Sequence, residues 1–550
     1  MRNQRIKNII FIFILFSWLV YPQTQYRFFV NKINLPIDNK GIIGSVNIQD
    51  PDPFIDGAGG KFDESVFLFS SGFFLSGFEN GKAFSNTVSE ASIDYQPGKV
   101  GSNPLDSLNN IYVVKNIDPP FSTSWQKWKD AVSLGADFYD GDADGIYNPK
   151  DKNFNGTWDL NEDMPPLIGD EIAWCIYNDG VPASLRRYGV EPIGIEIQQT
   201  LFASNNLDLK NVIFIKYKIT NTGLVDDVLD SVFFSSWDDT DIGEPINDLG
   251  GCDTMLNSVF TYNFNDDSFY GTNPPAVFTT VLQGPLSNTT NINDTAFIKN
   301  GVILGEQNII GYKNLGIYSF TGYAKNAPTQ HAPTSVEYVW NYIKALDGEG
   351  NALNPCDTGY GKVYGNVDCN NINPLFWFSG DPLTQNGWLD NLAMDDRKFS
   401  SIGPFILEKS KPIEIILALV VGRGIDELNS ITAARENVQK VFNEYKTNFE
   451  SLTYSAPNPL DPSNNYILYQ NYPNPFNPFT NIRFEIVHDG FVTLEIFDLL
   501  GQNVKTLLNL FMQADRYEIE FSGNGLSSGV YFYKLQVGDF VQIKKMILLR

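Results

Sequence analysis

The residues best suited to chemistry lie between positions 140 and 162, where oxygen-bearing side chains recur at a regular spacing. In the first twelve-residue loop, side-chain oxygens fall at loop positions 1, 3, 5, 9 and 12 and a glycine at position 6: Asp140, Asp142, Asp144, Asn148, Asp151 and Gly145. Ile146 stands at loop position 7, where its backbone carbonyl can bind an ion. This spacing surrounds a hard cation with oxygens and therefore predicts a calcium loop.

A second loop with the same spacing begins at the last residue of the first. Its oxygen-bearing side chains and its glycine stand at the same positions: Asp151, Asn153, Asn155, Asp159, Glu162 and Gly156, with Thr157 at loop position 7. Asp151 is common to both loops, so it either bridges two ions or makes the loops compete. Residues 137–170 contain nine acidic residues and two lysines, a density that repels itself without a cation. The alternative is a solvated acidic loop.

Helices are not expected to flank these loops. Gly135 interrupts any helix that runs from Ser124, and Met164-Pro165-Pro166 prevents an exit helix. The segment resembles the tandem aspartate-rich calcium loops of extracellular proteins, such as thrombospondin type 3 repeats and dockerins. That resemblance implies structural Ca²⁺ held by residues of the segment 140–162.

A weaker acidic cluster follows a predicted strand end. Asp239, Asp241, Asp248 and Asp253 lie close together in the sequence and match no loop template. They could hold another ion, or they could be solvated carboxylates of turns.

Residues for catalysis are sparse. The chain has two histidines, His331 and His488, so a Ser-His-Asp peptidase would have to use one of them. A polysaccharide hydrolase needs only two carboxylates, which the chain offers in many places. Trp377, Trp388 and the segment 376–382, which contains Trp377, are either a sugar-stacking platform or core residues, and core packing is favoured.

The composition indicates a mainly β protein. Aromatic residues make up 14% of the chain, and 45 glycines and 30 prolines supply turns. Strands are predicted at 211–221, 228–237 and 412–421, and one helix at 428–445. The expected architecture is a multi-domain β-rich body, residues 25–455, with a calcium-loop segment at 137–170. A net charge of −25 argues against nucleic acid as a partner.

The N-terminus predicts export. Arg2, Arg5 and Lys7 precede the apolar run 9–20, which is typical of a signal peptide, placed here at 1–24; the alternative is an uncleaved membrane anchor. Export allows disulfides to form. Cys356 and Cys369 could staple the segment between them, whereas Cys175 and Cys252 either pair or stay single. Residues 456–465 are predicted to be a linker.

The C-terminal segment, residues 466–550, predicts a small immunoglobulin-like β-sandwich of five or more strands. It contains four short motifs: Asn474-Pro475-Phe476; Ile496-Phe497-Asp498 followed by Gly501 and Val504; Gly529-Val530-Tyr531; and the basic pair Lys544-Lys545 before an apolar end. With these motifs the segment resembles the type A C-terminal sorting domain of the bacterial type IX secretion system. The resemblance implies Sec export, passage across the outer membrane, removal of the tail, and either release or anchoring at the cell surface.

The sequence is therefore compatible with two alternative functions from different classes. The favoured one is a secreted or cell-surface protein, stabilised by Ca²⁺ and exported by the type IX machinery, that acts without catalysis in adhesion or as an envelope component. A surface glycan or lipopolysaccharide anchor is a possible further partner. The alternative is a secreted hydrolase that acts on polysaccharide through a carboxylate pair. The body also resembles uncharacterised secreted proteins through the segments 140–149 and 401–405, and that resemblance implies no activity.

Overall fold

The computed structural model describes residues 23–50, 56–63, 65–324, 329–356, 359–454, 467–471, 473–486, 490–499, 501–512, 515–538 and 540–549. The predicted signal peptide, apart from its last two residues, and the predicted linker at 456–465 lie outside the described residues. Contacts between Cα atoms divide the chain into two compact units. The first unit, called the body, consists of Met1–Lys115, Phe121–Phe154 and Asp159–Tyr454; the second, called the tail unit, consists of Asn116–Pro120, Asn155–Trp158 and Ser455–Arg550.

The body is built mainly from strands. In chain order these are β1 (Gln25–Phe29), β2 (Ile33–Asp38), β3 (Gly60–Phe62), β4 (Ser65–Leu68), β5 (Ser70–Glu79), β6 (Lys82–Val88), β7 (Gln96–Pro97), β8 (Tyr112–Lys115), β9 (Glu171–Asn178), β10 (Ile195–Ala203), β11 (Val212–Asn221), β12 (Val228–Asp239), β13 (Asp248–Asp253), β14 (Ser258–Asn263), β15 (Ala276–Gln283), β16 (Leu286–Asn288), β17 (Thr295–Lys299), β18 (Glu306–Ile310), β19 (Tyr312–Asn314), β20 (Ile317–Ala324), β21 (Lys362–Tyr364), β22 (Gly387–Leu389), β23 (Asp396–Glu408) and β24 (Ile413–Gly422).

Three α-helices accompany these strands: α1 (Thr123–Leu134), α2 (Val336–Ile343) and α3 (Glu427–Lys446). Short 3₁₀ turns lie at Ala183–Leu185, Cys369–Asn371 and Glu450–Leu452. The tail strands are β25 (Ile467–Leu468), β26 (Phe479–Ile486), β27 (Gly490–Phe497), β28 (Asn503–Met512), β29 (Asp515–Ser522), β30 (Gly529–Val537) and β31 (Phe540–Leu548). The prediction of a mainly β chain is confirmed.

Two large sheets form the centre of the body. One has nine strands in the order β13-β14-β15-β24-β11-β10-β9-β7, with β8 also paired to β9; the other has five strands in the order β20-β23-β12-β5-β6. The strands predicted at 211–221, 228–237 and 412–421 are confirmed as β11, β12 and β24. β24 is almost entirely buried because it lies inside the nine-stranded sheet, which explains its nearly continuous apolar sequence.

Aromatic side chains join the two large sheets face to face. Phe73 on β5 stacks on Phe234 of β12 at 5.2 Å between ring centroids, and both rings contact Tyr217 of β11, at 5.3 and 5.2 Å. Aromatic pairs at these distances stabilise a core beyond the area that they bury. The main hydrophobic core of the body therefore lies between the two sheets.

The predicted helix at 428–445 is confirmed as α3, which covers the outer face of the nine-stranded sheet beside β14, β15 and β24. Asp426 begins it as N-cap, because its side chain accepts a hydrogen bond from the Asn429 N–H at 2.7 Å. The apolar stripe of the helix, Ile431, Ala434, Val438 and Val441, is buried.

The tail unit contains a three-stranded sheet, β25-β26-β29, and a four-stranded sheet, β28-β27-β30-β31. Side chains of both sheets share one hydrophobic core, which contains Phe484, Phe521, Leu494, Ile496 and Tyr533. Phe476 N–H donates to the Ile547 carbonyl at 2.9 Å, and Asn474 Oδ1 accepts from Ile547 N–H at 2.9 Å. The Asn-Pro-Phe motif thus pairs with the last strand.

The four cysteines adopt two states. Cys356 and Cys369 form a disulfide, as the sequence suggested, whereas Cys175 and Cys252 are buried free thiols. Among the described residues, no helix combines the length and the apolar character needed to cross a membrane.

Candidate metal centre

The acidic segment lies between α1 and β9. Gly135 ends α1 in the left-handed conformation, with φ of 109°, and no exit helix forms after Pro166. Tyr139 and Met164 then pair as an isolated antiparallel bridge, with Tyr139 N–H 2.9 Å from the Met164 carbonyl oxygen. The two ends of the segment are therefore tied together by this bridge, and α1 ends at Leu134 before the first loop, as the sequence predicts.

The first loop brings three of its predicted ligands together. Asp140, Asp142 and Asp144 each offer a carboxylate oxygen, and these oxygens all lie within 4.8 Å of one another. Asp140 also accepts hydrogen bonds from the N–H groups of Asp144 at 3.2 Å and Gly145 at 2.8 Å, which fixes the turn around its carboxylate. The trio consists of oxygen ligands alone, which suits a hard cation and disfavours Zn²⁺.

The two loops repeat the same backbone conformation. At loop position 4, Ala143 and Phe154 have φ of 57° and 61°, and at position 6, Gly145 and Gly156 have φ of 76° and 78°. At position 7, the Ile146 N–H donates to Asp144 Oδ1 at 2.7 Å, and the Thr157 N–H donates to Asn155 Oδ1 at 2.8 Å. The doubled sequence spacing therefore corresponds to a doubled turn geometry.

Two buried acidic side chains hold the backbone of the loops through hydrogen bonds. Asp163 accepts the Gly141 N–H at 3.1 Å and the Asn148 N–H at 2.7 Å, and burial raises its pKa. Glu162 accepts the Lys152 N–H at 2.5 Å and the Asp159 N–H at 3.0 Å. The loop spacing does not include Asp163, so the sequence pattern did not predict its role. Its position directly after Glu162 was the signal that could have indicated it.

A lysine forms an ion pair with one carboxylate of the first loop. Lys152 Nζ lies 2.6 Å from Asp142 Oδ2 and 2.7 Å from the Asn161 carbonyl oxygen. Its hydrogen bond lowers the pKa of Asp142, and the same bond raises the pKa of Lys152. A metal ion on Asp142 would compete with this ammonium group for the carboxylate.

The other predicted ligands have more varied surroundings. Asn153 Nδ2 donates to Asp159 Oδ2 at 2.7 Å, so two predicted ligands of the second loop contact each other. The Ile146 side chain is exposed, which leaves its predicted role to the backbone carbonyl. In the described part of the chain, the cluster of close carboxylates in this segment comprises the first-loop trio and does not include Asp151 or Glu162.

The second acidic cluster is assembled differently from the sequence prediction. Asp239 and Asp241 lie with Asp395, and one carboxylate oxygen of each lies within 4.8 Å of the others. Asp253 instead pairs with Arg435 at 3.0 Å. Asp248 accepts the Ile242 N–H at 3.2 Å, next to Asp241. Asp395, just before β23, could not be identified from the sequence because no local spacing connects it to the end of β12.

The aromatic segment is part of the core. Trp377 and Trp388 are 1% and 0% exposed, and the Trp388 indole N–H donates to the Tyr360 carbonyl at 3.0 Å. Core packing is thus confirmed over an exposed sugar-stacking platform. His331 hydrogen-bonds the Tyr338 hydroxyl at 3.0 Å, while His488 lies outside the described residues.

Comparison with known proteins identifies the end of the chain. Residues 470–549 match the family described as the secretion system C-terminal sorting domain. No curated protein matches the sequence.

Two solved structures share distant similarity with the chain. A polysaccharide lyase is 6% identical over 64% of this chain and 34% of its own, with a TM-score of 0.16. Dimeric latent PorU from Porphyromonas gingivalis is 11% identical over 62% of this chain and 31% of its own, also with a TM-score of 0.16. The chain spans about a third of the length of these proteins. TM-scores this low support no inference about fold or function.

Proposed function

Residues 470–549 carry a type IX secretion sorting domain, which directs the chain to the cell surface or the medium, and from this premise we propose a calcium-stabilised, non-enzymatic function for the body. In this proposal the protein is an adhesion or envelope component whose 140–162 segment is ordered by Ca²⁺. The tail is the part that the type IX machinery recognises. Anchoring through a surface glycan or lipopolysaccharide is the matching proposal for a form that stays on the cell.

The convergence of Asp140, Asp142 and Asp144 is the observation that supports calcium binding. Their oxygens lie within 4.8 Å of one another, and a Ca²⁺ ion with ligands at about 2.3–2.6 Å spans oxygen pairs up to about twice that distance. The backbone carbonyl of Ile146 and the side chain of Asn148 would complete the first loop. The second loop would use Asp151, Asn153, Asn155, Asp159, Glu162 and the carbonyl of Thr157.

Export places such a site where calcium is abundant enough to fill it. Extracellular modules work with dissociation constants on the order of 10⁻⁴ to 10⁻³ M, because the calcium around them is abundant. An ion that binds the folded loop and not the unfolded chain stabilises the fold by about 2.7 kcal/mol at about 100 times its dissociation constant. Calcium would therefore order the segment after the chain has left the cytoplasm.

Calorimetric titration of the full chain with Ca²⁺ tests the proposal. Asp142→Asn is expected to weaken the first loop, and Asp151→Asn is expected to weaken both loops because both contain this residue. Lys152→Met is expected to tighten binding, since it removes the ammonium group that competes for Asp142. Asp266→Asn, an exposed residue in another loop, is the matched control for the lost charge.

The outcomes separate the parts of the proposal. Equal calcium affinity in the wild type, Asp142→Asn and Asp151→Asn would remove the loops as binding sites. Turnover of a glycan or peptide library by the purified protein, abolished by one Asp or Glu substitution, would overturn the non-enzymatic assignment.

A further inference from the structure

The carboxyl end of β12 carries a second set of acids that the calcium loops do not explain. Asp239 ends the strand, Asp241 follows it, and Asp395 precedes the neighbouring strand β23. One carboxylate oxygen of each lies within 4.8 Å of the other two. Because β12 and β23 pair antiparallel, the end of one and the start of the other meet at the same edge of the five-stranded sheet.

The charges of this group do not balance. Arg397 is the cation that contacts it, with Nη2 3.0 Å from Asp239 Oδ2 and Nη1 2.5 Å from Asp395 Oδ1. The next cation, Lys398, lies 2.5 Å from Asp396 Oδ1 and is engaged there. When all three carboxylates are ionised, they and one guanidinium leave two negative charges, which is the charge that a divalent cation neutralises.

Buried oxygen atoms at this edge also lack hydrogen-bond partners among the described residues. Asp239 is 1% exposed, and with Oδ2 on Arg397 its Oδ1 has no hydrogen-bond partner. Asp248, outside the trio, is also 1% exposed; its Oδ2 accepts the Ile242 N–H beside Asp241, and its Oδ1 has no partner. A buried acceptor without a partner costs free energy, and for an ionised carboxylate the cost is larger. Such oxygens are therefore available as ligands.

We infer that Asp239, Asp241 and Asp395 bind a divalent cation, Ca²⁺, at the edge of the five-stranded sheet, separately from the loops at 140–162. Asp239 Oδ1 and the carboxylates of Asp241 and Asp395 are the ligands. Arg397 positions Asp239 and Asp395 by holding their other oxygens. The ion connects β12 to β23 where the two strands have no further backbone pairing.

The test isolates this site in a chain without the first loop site. In full-length protein carrying D140N, D142N and D144N, calorimetry with Ca²⁺ is expected to retain one binding event besides that of the second loop. Adding Asp241→Asn is expected to remove that event, whereas adding Asp266→Asn is expected to keep it. Asp241→Glu, which preserves the charge, is expected to retain binding and excludes a general loss of fold as the cause.

Each result decides between the two sites. In the D140N, D142N and D144N background, loss of every calcium-binding event except that of the second loop would overturn the inference. Calcium binding that Asp241→Asn leaves unchanged would also overturn it. Binding in the wild type that Asp241→Asn alone abolishes would support this site and reject the loops. Melting temperatures measured in chelator serve as the check on folding, because among the described residues Asp241 has no hydrogen-bond or ion-pair partner whose loss would unfold the chain.

Discussion

At the residue scale, the carboxylates of the acidic segment differ in what their oxygens contact. Asp163 and Glu162 use their oxygens on backbone N–H groups and so shape the acidic segment from inside. Asp140, Asp142 and Asp144 stand around the same turn with oxygens directed at one another. Acidic side chains thus act as scaffold where their oxygens accept backbone N–H groups, and they are free to act as ligands where their oxygens face other carboxylates.

Burial also gives the sheet-edge carboxylates a pH dependence. Burial raises the pKa of Asp241 to about 6, with Asp395 as the second cause, and raises the pKa of Asp239 to about 7. In the unfolded chain these groups titrate near 3.9. Because the folded state holds the proton more tightly, the contribution of Asp241 to the unfolding free energy decreases as the pH rises from about 4 to about 6.

Substitution of Asp241 isolates that contribution. In chelator, Asp241→Asn is expected to gain melting temperature relative to the wild type as the pH increases from 4 to 7, because asparagine does not titrate. Differential scanning calorimetry at several pH values measures the difference. A constant offset between variant and wild type across this range would contradict the assignment, and Asp266→Asn supplies the comparison at an exposed site.

At the element scale, periodicity predicted the strands and the long helix but not their partners. The alternation in β11 and the three-four spacing in α3 are local properties, because each depends on one face being buried. The pairing of β12 with β23 depends on residues far apart in the sequence, so no local pattern could place Asp395 beside Asp239. The turns of the acidic loops could be predicted because their geometry comes from neighbouring residues, whereas calcium binding by the loops stays a prediction.

The contact between β24 and α3 gives a prediction at this scale. A Cβ atom at Gly422 would lie 2.0 Å from the backbone nitrogen of Ala434, so Gly422→Ala is expected to destabilise the body by about 1–3 kcal/mol. Residues 466–550 contain no tryptophan, and all described tryptophans except Trp158 lie in the body, so the thermal change in tryptophan fluorescence follows mainly the body. Gly529→Ala in β30 is the control, because a methyl group there meets no atom within 4 Å. Equal melting of the two variants would show that the helix moves away from the sheet.

At the scale of the whole molecule, sorting and stability belong to different units. The body and the tail unit each have their own hydrophobic core. The sorting domain at 470–549 marks the chain for export. The two carboxylate clusters, Asp140 with Asp142 and Asp144 and Asp239 with Asp241 and Asp395, belong to the body. A protein built in this way can lose its tail after export and keep the fold that acts outside the cell.

Deletion of residues 466–550 tests this separation. The truncated body is expected to melt at the wild-type temperature by tryptophan fluorescence, because its core is complete without the tail. It is expected to accumulate in the periplasm, because it lacks the sorting domain. Fractionation of cells and medium locates the product. Truncated protein in the medium would contradict the role of the tail in export, and a lower melting temperature would contradict its independence from the body.

The two buried thiols have a consequence for oxidative folding. Four cysteines allow three complete pairings, and any of them can form in an exported chain before its strands assemble. Cys175 on β9 and Cys252 on β13 lose contact with solvent once the nine-stranded sheet closes, and burial raises the pKa of both thiols. A thiol without its thiolate form does not exchange disulfides. Strand assembly thereby favours the correct disulfide, because it buries the two cysteines that could mispair. Cys356 and Cys369 then pair with each other.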